Sequence, residues 1–99
     1  MDEQRRVADF LECYDLDADP AYRVLDLTSE VGEIAKEANE STGYGANPEN
    51  LEIAEDELGD ALFSLLAVCE GVGVDASGAL ESALEKYERR LEETGTPGS

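Results

Sequence analysis

The chain has no histidine and no tryptophan, only two lysines, and two cysteines, Cys13 and Cys69. Two thiols without histidine are too few ligands for a zinc centre of the usual kind. Both cysteines fall within apolar helical patterns, so they are expected as buried thiols rather than as a disulfide. No apolar run approaches the roughly 18 residues of a membrane span, and no basic start followed by an apolar block marks a signal peptide. The expectation is a soluble, cytoplasmic protein with no membrane partner. Positive charge is scarce throughout: two lysines and five arginines stand against 25 acids, a net charge of -18. That field argues against direct nucleic-acid binding. A polyanionic ligand would need metal ions between itself and the protein.

What the chain does have is acid, spread along its whole length rather than gathered in a tail. The apolar fraction, 41 %, is adequate for a core. An evenly acidic, lysine-poor surface over such a core points to a halophilic cytoplasm of molar salt. At 1 M the Debye length is about 3 Å, which screens the self-repulsion. The 99 residues read as one domain over 1–93 and a flexible C-terminal tail, "TGTPGS", over 94–99.

Periodicity predicts an all-α, four-helix bundle-like fold. The first helix spans Asp2 to Tyr14, with Val7, Phe10, Leu11 and Tyr14 on one stripe. Asp19 as N-cap and Pro20 at the first helical position open a second helix to about Ser41, striped by Val24, Leu27, Val31, Ile34 and Ala38. Asn47-Pro48 repeats that signal for a third helix, which runs to about Gly71. Asp75 or Ser77 caps a fourth, with Leu80, Ala83, Leu84, Tyr87 and Leu91 on one face. From Ala61 to Cys69 the third helix has Ser64 as its only polar side chain. A helix apolar all round in so small a domain needs cover from outside, so a homodimer or homotetramer formed through it is expected.

Two acid pairs stand out by context. Glu30 and Glu33 enclose Gly32, and Glu57 and Asp60 enclose Gly59. Spacing alone says little: the chain has eight acid pairs at i,i+3, close to what a random ordering of so acidic a sequence contains. The glycines are the distinguishing feature, because each costs a helix about 1 kcal/mol relative to alanine and suggests close approach of a backbone or ligand. Asp60 also sits where the apolar run begins, and clustered carboxylates near a desolvated surface repel unless a cation or proton offsets them. On a helical wheel Glu30 and Glu57 lie beside the apolar stripes, while Glu33 and Asp60 point further away. A Mg²⁺ site of oxygen ligands and a merely solvated acidic surface both remain open on these grounds.

The order "EVGE", a 23-residue spacer, "ELGD", then the apolar "ALFSLLAVCEGVGVD" and "ALEKYERRL" resembles the MazG-like, all-α nucleoside triphosphate pyrophosphohydrolases. The resemblance runs from Leu25 to Leu91. It implies a MazG-type fold, with Glu30, Glu33, Glu57 and Asp60 as Mg²⁺ ligands. It also implies hydrolysis of a (deoxy)nucleoside triphosphate to monophosphate and pyrophosphate, in a nucleotide-pool house-cleaning role. Glu33 or Glu37 would position or deprotonate the water, and Lys86 with Arg89 or Arg90 would meet phosphate charge. Tyr22 and Tyr44 are the aromatic candidates for the base. Where the MazG proteins carry an asparagine two positions before that lysine, this chain has Leu84. A catalytically silent, metal-binding oligomerisation or regulatory module is the rival expectation.

Overall fold

Within residues 2–98, which the computed structural model describes, every regular element is helical. Met1 and Ser99, the outer ends of the expected domain and tail, lie outside the described residues. The helices are α1 (Asp2–Cys13), α2 (Pro20–Ser41), α3 (Glu55–Val72) and α4 (Ala76–Thr94).

Asp19 caps α2 as its position next to Pro20 predicts: its carboxylate accepts from the Ala21 N–H at 2.9 Å. Asn47-Pro48 does not behave the same way. It opens only a short 3-10 turn, Pro48–Asn50, and α3 starts later, behind Ala54 in extended conformation. Two contacts from α2 hold that extended approach. The Glu52 N–H donates to Ser41 Oγ at 3.0 Å, and the Ala54 N–H donates to Glu37 Oε2 at 2.7 Å. Because Ala54 has no side-chain oxygen to cap α3, Glu37 performs that role from the neighbouring helix.

At the far end α3 stops on Gly73, whose φ of 72° suits glycine. There the chain bends by 104° into α4. Gln4, buried on α1, fixes the bend: its Nε2 donates to the Val74 carbonyl at 2.8 Å and its Oε1 accepts from the Ala76 N–H at 2.7 Å. Thr94, the first residue of the expected tail, is the last residue of α4.

α2 and α3 form an antiparallel hairpin, and α1 packs on another side of α3. No other helix among the described residues packs along α4. The core is small: Val7, Leu66 and Ala67 are buried, with Leu11, Phe63 and Ala76 packed against them. Phe10 meets Phe63 edge-on at 5.8 Å between ring centres. Other apolar residues stay half open, and α3 is not jacketed within its own chain: Leu58, Leu62, Leu65 and Val72 are all exposed. Cys13, expected as a buried thiol, is exposed near the end of α1, and Cys69 is half-buried; neither is in a disulfide. No single helix among the described residues is long and apolar enough to cross a membrane.

Candidate metal centre

The register of the hairpin is fixed at both ends. Glu37 meets Ala54 where α2 leads into α3. At the other end Gly71 lies so close to Pro20 that an added Cβ would sit 3.3 Å from the proline ring. Between these two ties, Glu30 comes level with the second acid pair. Glu30, Glu57 and Asp60 each place a carboxylate oxygen within 4.8 Å of the other two. Glu30 and Glu57 are half-buried beside the seam and Asp60 is exposed, in keeping with their places on the helical wheel. The facing of the two pairs, which periodicity leaves open, is thus supplied by the register.

Electrostatics mark Glu57 within the group. Its carboxyl is held above the ordinary glutamate pKa, first by partial desolvation and then by the charges of Glu37, Asp56, Glu33 and Asp60. A carboxylate pressed by four others is stabilised by a proton or by a cation. The oxygen-only donor set of Glu30, Glu57 and Asp60, open to solvent on the Asp60 side, fits a hard divalent cation that keeps water or phosphate oxygens in its shell.

The other candidates are placed as follows. Glu33 is exposed one turn beyond Glu30 and outside the close trio, though its charge still bears on Glu57. Glu37 is half-buried and engaged as the external cap of α3. That role is not visible as a motif; its signal is the alanine at the capping position, which leaves backbone donors to be met from elsewhere. Tyr22 is exposed on the first turn of α2, and Tyr44 is 84 % exposed in the loop after that helix, at a φ of 57° between Gly43 and Gly45. Lys86 lies over the ring of its neighbour Tyr87, 5.0 Å from the ring centre. Arg90 donates to the Pro97 carbonyl at 3.4 Å, and Arg89 is exposed. Helix rise and the bend put Lys86 about 20 Å from Asp60 in the same chain.

Close packing of another backbone is not what Gly32 and Gly59 accommodate. A Cβ at Gly32 or Gly59 would meet nothing within 4 Å. Among the described residues no backbone approaches either, so the backbone half of that expectation is corrected.

Residues 20–94, spanning the hairpin and all of α4, match the MazG nucleotide pyrophosphohydrolase domain. The chain belongs to the MazG family. It is also 30 % identical over 90 residues to an uncharacterised protein, YpjD, of Bacillus subtilis (strain 168), covering 87 % of this chain and 77 % of that protein. No solved structure matches it significantly. Membership identifies the all-α fold with a family of nucleotide pyrophosphohydrolases, and the acid trio lies inside the matched segment.

Proposed function

We propose that this MazG-family chain hydrolyses a (deoxy)nucleoside triphosphate between the α- and β-phosphates, giving monophosphate and pyrophosphate, with Mg²⁺ as cofactor. The observation that carries the reading is the trio itself: three carboxylates from two helices, converging within 4.8 Å at the open side of the hairpin. Glu30, Glu57 and Asp60 would hold the cation. When bound, it supplies neutralisation of the triphosphate's charge and polarisation of the phosphoryl group. Without that neutralisation a chain of charge -18 repels a triphosphate.

The chain's own groups have distinct parts in this reading. Glu33 is exposed, near the trio and free of a capping role, which makes it the better choice as fourth ligand or as the group that accepts a proton from water. Glu37, engaged with the Ala54 N–H, orients α3 and the pair Glu57 and Asp60 on it. Lys86, Arg89 and Arg90 lie too far along α4 to touch a phosphate held at the trio of the same chain, so their contact with substrate requires a neighbouring copy. Tyr22 shares the outward side of α2 with Glu33, about 16 Å along the axis, and Tyr44 lies beyond its other end. The cellular role is house-cleaning of the cytoplasmic nucleotide pool.

The test is product analysis by phosphorus NMR over a panel of canonical and modified nucleoside triphosphates, with Mg²⁺ in molar KCl. Monophosphate and pyrophosphate, lost in Glu57→Gln, are expected. Diphosphate and orthophosphate would place cleavage at the wrong bond. No turnover while Mg²⁺ still raises the melting temperature would favour the silent metal-binding module.

A further inference from the structure

No other helix among the described residues packs along α4, and Ala76, its first residue, packs against the buried core. The direction of α4 is therefore decided in the linker, residues 73–75, where the chain bends by 104°. Gln4 grips that linker from α1. Its amide donates to the Val74 carbonyl at 2.8 Å and accepts from the Ala76 N–H at 2.7 Å, with the residue itself 7 % exposed.

The two backbone groups flank Asp75, which is extended at φ -79° and ψ 114°. A carbonyl and an N–H two residues further on point the same way only when the residue between them is extended, as in a strand meeting its neighbour. A carboxamide carries the matching donor and acceptor on one planar group. Turning α4 to another angle rotates Asp75 and separates the pair, so the exit angle and the two bonds stand or fall together. The leverage on α4 is large. At 1.5 Å per residue, Lys86 lies about 15 Å from Ala76 and Arg90 about 21 Å. A swing of about 20° at the linker moves them by about 5 Å and about 7 Å, where a misplacement of about 1 Å already costs rate. Lys86, Arg89 and Arg90 are three of the seven lysines and arginines in the chain.

We infer that Gln4 is a positioning residue for the proposed reaction. By locking Asp75 extended it sets the exit angle of α4, and with it the place where Lys86, Arg89 and Arg90 meet the triphosphate. Gln4 touches no phosphate itself, and its role rests on the phosphate contact proposed above for those three cations. It stands on α1, outside the residues 20–94 that match the MazG domain, yet it governs a helix within them.

The test compares wild type with Gln4→Glu and Gln4→Met. The first keeps an acceptor for the Ala76 N–H but sets a carboxylate oxygen against the Val74 carbonyl. The second keeps the length of the side chain and loses both bonds without adding charge. Residual dipolar couplings of the α3 and α4 N–H groups read the angle between the helices. Steady-state kinetics, with pyrophosphate as inhibitor, read the grip on phosphate. Both variants should lose the 104° bend. Both should raise KM about tenfold and weaken pyrophosphate inhibition in parallel, with kcat within about twofold of wild type. Mn²⁺ affinity at the acid trio should not change. A merely looser fold lowers the active fraction, and so kcat, with KM unchanged. That result, an unaltered bend, or an altered bend with wild-type KM would overturn the inference. No turnover by the wild type would sink the proposed reaction, and this role with it.

Discussion

The two sides of the α2–α3 seam differ in how complete they are within one chain. On one side, Glu30, Glu57 and Asp60 converge from two helices and are held in register by Glu37 at one end and by Gly71 against Pro20 at the other. On the other side, Leu58, Leu62, Leu65, Val24 and Val31 are left about half exposed. Local backbone ties suffice to gather carboxylates, because an acid site needs only position. Apolar surface needs area, and three buried apolar residues among those described supply little of it. The acid trio is thus gathered within one chain, whereas much of the apolar surface of α3 and α4 is left half open by it.

The largest expected effect breaks the acid side alone. Glu57→Gln should lower turnover by about 10²- to 10³-fold, the range for removing one electrostatic element from an active site, while the molar mass in solution stays unchanged. Steady-state kinetics beside light scattering would separate the two. Leu62→Glu should do the converse. A charge placed on this exposed apolar strip should weaken the expected association of copies by about a hundredfold or more, measured by sedimentation equilibrium, while Glu30, Glu57 and Asp60 remain in place.

The third expectation concerns pH. Glu57's carboxyl is raised by desolvation and by its acidic neighbours, so its contribution to the metal-free fold is full below the ordinary carboxylate pKa. It is lost as pH rises through the raised value. The melting temperature without divalent ions should fall across that window, and by less in Glu57→Gln. Divalent affinity should move the other way, weakening as pH drops into the same window, because proton and cation compete for one carboxylate.

The smallest effect compares two glycines. Gly32→Ala meets open space and should stabilise the fold by about 1 kcal/mol through helix propensity. Gly71→Ala, with Pro20 at 3.3 Å, should gain less or lose stability, as a denaturant titration would show.

Much of this was legible in the residues where the signal is local. Asp19-Pro20 starts α2 because the cap and the fixed proline φ act within one turn. The stripes of α1 and α4 give helices because period alone decides them. Asn47-Pro48 misleads because its helix is pre-empted by Ser41 and Glu37, which hold residues 52–54 extended from a different helix. The acid pairs are visible as motifs, but the convergence of Glu30 with Asp60 depends on hairpin register, which no single helix encodes. The exposure of α4 was not legible either. Its stripe reads like any core-facing helix, and the bend held by Gln4, 70 residues away from its partner Val74, is what leaves that stripe half exposed.

In the proposed function Glu30, Glu57 and Asp60 form a specific divalent site and not one more patch of an acidic surface. Titration with Mn²⁺ in molar KCl, followed by electron paramagnetic resonance, tests it directly on three proteins: wild type, Glu57→Gln, and Glu93→Gln. The last removes the same charge from α4. Saturable binding in wild type and Glu93→Gln, weakened at least tenfold in Glu57→Gln, is the predicted result. Equal binding by all three, or equal loss in both variants, would mean that only net charge attracts the ion and would contradict the account.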